Sequence, residues 1–565
     1  MKDRKRRGNR KHRSSRSQAT TFVFLMAAST STRGFFLGCE ALLSKNAQIL
    51  SKASPLASSG RFSPANPLDS SKKRRRRFSR AAVATEYDSD TSTSDATIND
   101  DAPKLILPSH PDFSITSVMA PMVAASDYPY RVFLREHCGV DLTFTQMLLA
   151  KRFVVDATFR KAHLDLFETS EKIEAEVDEL LPSQLDCIGD VEEYRERQQF
   201  LRETKKPIVR HNKAPLMVQL AGDNVDEMVQ TAMMIYEHTE GKLHGIDLNC
   251  GCPQNIAKKG NYGAFLMERD SEQVNKILRA LRKNLPPEVA LSAKIRLPMD
   301  DDTLVKERIP GLIESGISFL TVHGRTLKEN KTKVQGAHID RIQLAVETAH
   351  KIDPNFPVIA NGGMENYNDI QQILETTGAS AAMSSEALLE TPDLFRKESM
   401  GYEDSPQENF DRHIEFARNY LDTCTRVGPP LPGVLGFNRG GSFNVVRAHL
   451  FKFLHRYINN DHQDLRDKLA ADGEVTMRTL GEAQNLVDEL ESRYQNLSDE
   501  EWKELKSSSP LSSWYRRHRK PERSVHERHS GASTDNTELS VEDRKRAIRE
   551  RLAKMKSKQN TKQFV

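Results

Sequence analysis

The sequence predicts an α/β protein, a TIM (β/α)8 barrel with a C-terminal helical domain and disordered basic tails. Eight short apolar runs occur in order between residues 115 and 388, amphipathic segments separate them, and polar residues follow the runs. Most runs are continuously apolar, as expected for strands that are buried on both faces. A doubly wound sheet is the structural alternative, but no G-x-G-x-x-G follows the first run.

Composition indicates that only part of the chain folds compactly. Of 565 residues 37% are hydrophobic, and the mean hydropathy is −0.61, which is too polar for one compact body of this length. Residues 1–80 contain 20 Lys or Arg against 3 Asp or Glu, and residues 506–565 contain 16 against 7. The residues between them are acidic, with 69 Asp or Glu against 47 Lys or Arg. Basic ends indicate attachment to a polyanion such as nucleic acid or, equally, localisation signals or solubilising arms.

Residues 1–105 are predicted to be a disordered basic and polar extension, because Ser, Arg and Lys dominate them. The run KKRRRR at residues 72–77 resembles a nuclear localisation signal and favours the cytoplasm or nucleus. An apolar segment at residues 22–28 follows a basic start, so organelle targeting is the alternative.

Residues 110–400 contain the predicted barrel. Its eight strands are expected at residues 115–122, 142–147, 216–222, 245–253, 290–297, 319–326, 357–363 and 380–388. Segments 225–238 and 271–284 have apolar residues three and four apart, which predicts amphipathic helices. Residues 160–213 form an acidic insertion between the second and third strands.

Polar residues occupy equivalent positions at the carboxyl ends of these strands, where the active sites of this fold lie. They are Gln146, Gln219, Asn249, Cys252, Lys294, Arg296, His323, Arg325, Asn361, Ser384, Ser385 and Glu386. Such a ring predicts an enzyme with one large, polar, partly anionic ligand. The last two strands of barrels commonly carry a phosphate site, although Asn361-Gly362-Gly363 alone would be read as an ordinary turn.

The segment LNCGCPQNIAKKGNYGAFLM at residues 248–267 is the most informative. It places Cys252 at the mouth of the fourth strand, where a thiol is a candidate proton donor or nucleophile. A lone G-C-P is more often an idle cysteine, so the interpretation depends on the surrounding strands. The six cysteines show no metal-ligand or disulfide spacing, and no apolar stretch has the length of a membrane span.

The chain resembles the flavin-dependent tRNA-dihydrouridine synthases, in particular the eukaryotic group that acts at positions 16 and 17 of the D-loop. The matching motifs are APMV (120–123), MVQLAG (217–222), DLNCGCPQNIAKKGNYGAFLM (247–267), KIRL (294–297), TVHGRT (321–326), IANGG (359–363) and MSSEALLETPDLF (383–395). The pattern N-x-G-C-P-x-x-x-A-K-x-G-x-Y-G is highly specific. Bacterial relatives carry Gly-Arg where this chain has Ser385-Glu386, so an arginine contact to the phosphate is expected to be missing.

The resemblance implies bound FMN, NADPH as the electron donor, and reduction of the C5–C6 bond of a tRNA uridine. By similarity, the isoalloxazine lies against Pro121, Met122, Val123 and Gln219, and Lys294 lies near the flavin carbonyl and ribityl chain. The phosphate end is assigned to His323, Asn361, Gly362, Gly363, Ser385 and Glu386. Asn249 and Arg325 are expected to contact the substrate.

The implied chemistry delivers a hydride from reduced FMN to C6 and a proton to C5. Cys252 is the candidate general acid. A thiol with that task should keep a pKa near its ordinary value of about 8.5, because a depressed pKa would leave it without the proton. Cys250 is assigned to core packing.

The uridine must leave its stack to enter a pocket at the barrel mouth, so the rest of the tRNA is expected to be held by phosphate and shape contacts. The expected tRNA-binding domain is the helical region 405–505, followed by a basic tail at residues 506–565. On segment 444–457, Val446, Leu450, Phe453 and Tyr457 form an apolar stripe, with Arg447, Lys452, His455 and Arg456 outside it. A solvated charged face is the alternative. The acidic insertion would repel RNA, so we expect it to pack on the rim or make another contact, and we expect a monomer with no membrane partner.

Two other functions stay open. An FMN-dependent small-molecule dihydropyrimidine or dihydroorotate dehydrogenase would share the flavin cradle without needing the basic tails. A non-catalytic RNA-binding barrel would bind no flavin and would be insensitive to loss of Cys252.

Overall fold

The fold is taken from a computed structural model. The structure describes residues 102–164, 215–299, 302–330, 336–403, 405–430, 443–458, 462–470 and 475–495, with a few positions in 187–199 and 497–502, and Trp514. The predictions for residues 1–101, for most of the acidic insertion and for nearly all of the C-terminal tail lie outside the described residues.

A parallel barrel forms the body of the molecule, as predicted. The strands are β1 (Leu105–Ile106), β2 (Ser114–Ile115), β3 (Ser117–Met119), β4 (Thr143–Phe144), β5 (Leu148–Leu149), β6 (Leu216–Ala221), β7 (Gly245–Cys250), β8 (Ala290–Leu297), β9 (Phe319–Thr326), β10 (Val358–Asn361) and β11 (Ala381–Ser384). In the described part of the chain, eight parallel strands pair in the order β3-β11-β10-β9-β8-β7-β6-β4, and short β5 extends the edge beside β6. A parallel bridge between Val118 and Leu142 joins β3 to β4 and closes the ring.

Helices follow the strands on the outside of the barrel. They are α1 (Tyr128–His137), α2 (Ala150–Val155), α3 (Ala157–Leu164), α4 (Val225–His238), α5 (Asn255–Lys259), α6 (Ala264–Arg269), α7 (Ser271–Asn284), α8 (Asp302–Glu314), α9 (Ile339–His350), α10 (Tyr367–Thr377) and α11 (Glu386–Glu390). The predicted helices at 225–238 and 271–284 are confirmed as α4 and α7. Each begins after a side-chain cap, in which Asn224 accepts from the amide of Glu227 and Asp270 accepts from that of Gln273.

The barrel interior is apolar at its amino-terminal end. Phe144, Met217 and Phe319 are completely buried there in one cluster with Leu105 and Leu107. Leu105, which is 1% exposed, belongs to β1, and β1 pairs antiparallel with β2 just before the barrel begins. The predicted boundary of the extension at residue 105 is therefore a few residues too late, because Leu105 and Leu107 join the core.

A helical domain follows the barrel and packs against its first helix. It contains α12 (Pro406–Val427), α13 (Phe443–Phe453), α14 (Gln463–Leu469) and α15 (Leu480–Tyr494). At the junction, the His449 ring stacks on Tyr130 with centroids 4.1 Å apart, and its Nε2 lies 2.7 Å from Oδ2 of Asp127. The hydroxyl of Tyr130 donates to the carbonyl of Leu388 at 2.9 Å. The contacts of His449 with Tyr130 and Asp127 join the helical domain to the barrel, and both belong to one compact unit.

The described residues of the acidic insertion contact the helical domain. Cys187, Ile188 and Tyr194 are buried in the main core. The Tyr194 hydroxyl donates to the carbonyl of Thr425 at 2.5 Å, and the amide of Leu480 donates to the carbonyl of Cys187 at 3.0 Å. This part of the insertion therefore makes a contact away from the strand ends, as the charge argument allowed.

Candidate active site

The cysteine loop begins where β7 ends. The carboxamide oxygen of Asn249 accepts hydrogen bonds from the amides of Gly251 at 3.2 Å and Cys252 at 3.0 Å. On the other side of the loop, the amide of Ala264 donates to the carbonyl of Cys252 at 3.2 Å. The main chain around the thiol is therefore fixed from both sides before any ligand binds.

A chain of buried side chains supports this loop. Nδ2 of Asn249 donates to Oε1 of Gln219 at 2.8 Å, and Nε2 of Gln219 donates to Oδ2 of Asp247 at 2.8 Å. Oδ1 of Asp247 accepts from the hydroxyl of Ser292 at 2.6 Å. The side chains of Gln219 and Asn249 thus form these hydrogen bonds with other protein groups. Asn249, which was predicted as a substrate contact, orients the cysteine loop in this structure.

Cys252 is half-buried in the cysteine loop. Burial raises the pKa of its thiol, although a hydrogen bond from the Gln254 amide and the charge of Arg296 act in the opposite direction. The thiol is therefore protonated at neutral pH, as a proton donor must be. Cys250 is 1% exposed in the core, and burial raises the pKa of its thiol further. The assignment of Cys250 to packing agrees with its position.

Gly263 makes the closest approach to this loop. Its φ is +68° and its ψ is −142°, a backbone conformation that side chains strongly disfavour. A Cβ at this position would lie 2.8 Å from the carbonyl oxygen and 3.0 Å from the Cβ of Cys252. The glycine-punctuated segment thus has a physical role, because it lets helix α6 begin directly against the cysteine loop.

We expect Gly263→Ala to destabilise the protein by about 1–3 kcal/mol, because alanine adds both backbone strain and this collision. Urea unfolding measures the change in the free energy of unfolding. Gly481→Ala in α15 is the matched control, since a Cβ there meets no atom within 4 Å, and we expect its effect to stay within about 1 kcal/mol. Equal stability of the two variants would contradict the close packing of the loop.

Lys294 and Asn361 connect the cysteine side of the barrel mouth to the last strands. Nζ of Lys294 donates to Oδ1 of Asn361 at 2.7 Å, and Nδ2 of Asn361 donates to the carbonyl of Met383 at 2.7 Å. Burial lowers the pKa of Lys294 to about 7, with repulsion from Arg296 adding to the effect. The amine is thus poised to gain a proton when an anionic group approaches it.

A cavity of about 240 Å³ lies over the ends of β8 to β11. It brings together many of the predicted phosphate-site residues, namely His323, Asn361, Gly362, Gly363, Ser385 and Glu386. Arg325, predicted as a substrate contact, also lines it, together with Arg296, Glu329, Pro253 and Gln254. The last two residues follow Cys252 directly, so the cysteine loop borders the cavity.

The charged side chains that line the cavity are two arginines and two glutamates, Arg296, Arg325, Glu329 and Glu386. Burial and the nearby charges of Arg296, Lys294 and Arg325 hold the pKa of His323 well below its usual range, so the imidazole is neutral. Burial lowers the pKa of Arg296 only to about 10, and that side chain stays charged. The arginine contact that is expected to be missing at Ser385-Glu386 stays a prediction, and Arg296 and Arg325 supply guanidinium groups to the cavity lining.

Gly362 packs closely against His323 at the cavity. Its φ is +98°, and a Cβ there would lie 2.9 Å from Cδ2 of His323. Bare backbone, flanking guanidinium groups and the small Ser385 at the start of α11 suit a phosphate group. The residues present therefore fit the anionic end of a nucleotide-like ligand.

The loop after β3 occupies another part of the rim. Pro121 and Met122 are half-buried, and Val123 is 42% exposed. The amide of Ala124, which has a φ of +56°, donates to Oε1 of Gln146 at 3.2 Å. The predicted apolar cofactor contacts therefore lie at the open edge of the barrel, held by a residue of the neighbouring strand end.

The charged face predicted on segment 444–457 is only partly correct. Val446, Leu450 and Phe453 are buried as expected, but Arg447 is buried too and donates to the carbonyl of Met477 at 2.7 Å. Nε of Arg456 lies 3.2 Å from Oε1 of Glu390. Arg447 therefore faces the interior, because its guanidinium satisfies a carbonyl inside the helical domain, and it is not an RNA contact in this arrangement.

Sequence comparison identifies relatives over more than half of the chain. The sequence model of the dihydrouridine synthase (Dus) family matches residues 191–489. A protein of Mus musculus named tRNA-dihydrouridine(16/17) synthase, NAD(P)(+)-like, is 32% identical over 358 residues, which cover 62% of this chain and 58% of that protein. The tRNA-dihydrouridine(16/17) synthase of Saccharomyces cerevisiae is 28% identical over 355 residues, which cover 63% and 69% of the two chains.

A second relative in Mus musculus, named tRNA-dihydrouridine(20a/20b) synthase-like, is 28% identical over 317 residues and is covered over 76% of its length. The match spans less than two thirds of the mouse and rat (16/17) relatives. Among the described residues, no helix combines the length and the apolar character needed to cross a bilayer. The family match covers more than half of the sequence, and the chain belongs to the dihydrouridine synthase family.

Proposed function

We propose that the protein is a tRNA-dihydrouridine synthase that reduces the C5–C6 bond of uridines in the D-loop, at positions 16 or 17, with FMN as its cofactor and NADPH as the electron donor. The observation that carries the proposal is the juxtaposition of a protonated thiol, Cys252, with a cavity that fits a phosphate. The names of the relatives support the substrate class and the use of NAD(P).

The cavity and the residues around it would hold FMN by its phosphate. Arg296, Arg325 and the backbone at Gly362 and Gly363 would bind the phosphate, and Lys294 would lie along the path toward the thiol. Bound and reduced, the flavin supplies the hydride that uracil C6 requires. A cationic Lys294 would favour the negative charge of such a cofactor, because its buried ammonium has few other anions to balance it.

Cys252 supplies the proton at C5. Its thiol stays protonated because burial outweighs the charge of Arg296, so it acts as a general acid and not as a thiolate nucleophile. Asn249 accepts a hydrogen bond from the amide of Cys252 and thereby fixes the main chain that carries the thiol. The target uridine would enter the mouth after flipping out of its stack, with the body of the tRNA resting on the helical domain and the basic tail.

The proposal is tested by mapping dihydrouridine in tRNA from cells that lack the protein. We expect D-loop uridines at 16 and 17 to stay unreduced and the wild-type gene to restore them. Purified protein should be yellow and should contain one FMN per chain, and it should reduce tRNA far faster than free uridine or orotate. Colourless protein that binds no FMN would contradict the proposal, while preference for free pyrimidines would favour a small-molecule dehydrogenase.

A further inference from the structure

Asp247 is a buried carboxylate in the middle of β7. It is completely buried, and within the described residues it forms no ion pair. Its oxygens accept from Ser292 on β8 and Gln219 on β6, so it connects three neighbouring strands. A buried carboxylate costs stability unless its charge is compensated, which indicates that the charge serves a purpose at this position.

The carboxylate determines the direction of the hydrogen-bond chain. An ionised carboxylate can only accept, so Gln219 must turn its NH2 group toward Asp247 and its oxygen toward Asn249. Asn249 must then donate to Gln219, which leaves its own oxygen for the amides of Gly251 and Cys252. Reversal of Asn249 would place its NH2 group against these backbone donors, and the loop would lose its acceptor. Reversal of Gln219 would place its NH2 group against that of Asn249 and its oxygen against the carboxylate.

The same carboxylate is the nearby negative charge for Lys294. Lys294 lies on β8 in register with Asn249 on β7. This pair is two residues closer to the barrel mouth than the pair Asp247 and Ser292. The other charged or titratable groups that act on Lys294 or are affected by it are Arg296 on β8 and the neutral His323 on β9. Among these groups, the attraction of Asp247 alone favours the ammonium form of Lys294.

We propose that Asp247 is a positioning residue, whose carboxylate fixes the direction of the Gln219–Asn249 chain to the Cys252 loop and supplies a charge that favours the ammonium form of Lys294. The effect of Asp247 on catalysis rests on the proposed function, whereas its effects on the hydrogen-bond chain and on the charge of Lys294 do not. Burial raises the pKa of Asp247 to about 6, while Ser292, Gln219 and Lys294 favour its ionised form. The carboxylate is therefore ionised at neutral pH and loses its effect as the pH falls through about 6.

The direct test titrates Lys294 in wild-type protein and in Asp247→Asn. Only the unprotonated amine reacts with acetic anhydride, so the acetylation rate of Lys294 against pH, followed by peptide mass spectrometry, gives its midpoint. We expect a midpoint near 7 in the wild type. In Asp247→Asn, which keeps the shape and removes the charge, we expect a midpoint lower by about one unit, since a neighbouring opposite charge shifts a pKa by that amount or more.

Matched variants separate the charge from the hydrogen-bond chain. Asn249→Ala breaks the chain next to the cysteine loop and leaves Asp247 charged, so the Lys294 midpoint should stay and alkylation of Cys252 by iodoacetamide should become faster. Ser292→Ala removes one hydrogen bond that favours the carboxylate, so the midpoint should move in the same direction as in Asp247→Asn, by less. This milder variant keeps the test valid if Asp247→Asn does not fold.

In the FMN-loaded enzyme, the fall of kcat at high pH should begin at lower pH in Asp247→Asn, with KM for tRNA unchanged because the residue is buried away from RNA. An unchanged Lys294 midpoint in both Asp247→Asn and Ser292→Ala, or an equal loss of kcat at every pH, would overturn the inference. Failure of the wild type to form dihydrouridine would instead contradict the proposed function and would leave the labelling result standing.

Discussion

Replacement of Cys252 by alanine is expected to lower the rate of dihydrouridine formation by about 10²–10⁴-fold, the usual contribution of a positioned general acid. The structure gives the reason, because Cys252 is the protonated group at the mouth whose backbone is fixed by Asn249 and Ala264. FMN content and tRNA affinity should stay near the wild-type values, since the cavity lining does not include the thiol. Single-turnover reduction of tRNA by the pre-reduced enzyme measures the chemical step.

Cys250→Ala is the matched control for Cys252→Ala. It removes the same atom two residues earlier, from a side chain that is 1% exposed and packs in the core. We expect it to cost stability by creating a small cavity and to leave the reduction rate within a fewfold of wild type. If Cys250→Ala were as inactive as Cys252→Ala, or if Cys252→Ala reduced tRNA normally, the assignment of the general acid would be wrong.

The pH dependence of the same step follows from the state of the thiol. A general acid works in its protonated form, and burial raises the pKa of Cys252 above its ordinary value. Proton donation by Cys252 should therefore persist through neutral pH and fail only as the pH rises through that raised value, at a higher pH than the change near 7 that the titration of Lys294 produces. A nucleophilic cysteine would show the reverse, with a rate that increases as the thiolate forms.

The strands and the main helices could be predicted from the sequence because their signals are local. A strand buried on both faces reads as a continuous apolar run, and α4 and α7 carry apolar residues at helical spacing together with polar caps. The predicted boundary at residue 105 is wrong because the burial of Leu105 is not a local property of the sequence. Leu105 and Leu107 stand beside a polar tail, which gives too weak a local signal, and they are buried because they pack against the amino-terminal end of the barrel.

The candidate site was predictable only in part. The loops after parallel strands meet at one rim of a barrel, so residues at the strand ends are predicted to lie together. His323, Asn361 and Ser385 do line one cavity. Asp247 was not found, because a carboxylate inside a strand is recognisable only when its partners on β6 and β8 are seen. Arg296 belongs to the predicted ring of strand-end residues, and it lines the cavity without having been assigned to a ligand.

Arg447 shows the opposite error. Its helical spacing places it outside the apolar stripe, and it would be exposed if nothing packed against that side of the helix. The segment around Met477 covers that side of α13, and the guanidinium binds a carbonyl there. Amphipathic patterns identify the most apolar face of a helix, but they do not show how many neighbours pack around the remaining faces.

The largest stability effect is expected at Arg412, which joins the end of the barrel to the helical domain. Its guanidinium binds both carboxylate oxygens of Asp393, with Nε 2.7 Å from Oδ2, and it lies 5.2 Å from the ring centre of Phe416. The side chains are 7% and 12% exposed, so this is a buried ion pair. Arg412→Met should lower the free energy of unfolding by about 3–5 kcal/mol, because it leaves the carboxylate of Asp393 buried without its partner.

Urea unfolding of Arg412→Met is best compared with Arg279→Met. Arg279 pairs with Glu272 on the surface of α7, where the side chains are 48% and 58% exposed, and its loss should cost no more than about 1 kcal/mol. The double variant Asp393→Leu with Arg412→Met should recover much of the lost stability, since an apolar pair leaves no buried charge. If Arg412→Met were no less stable than Arg279→Met, the ion pair would not be what holds the helical domain to the barrel, and the aromatic contacts of Tyr130 and His449 would have to supply that attachment.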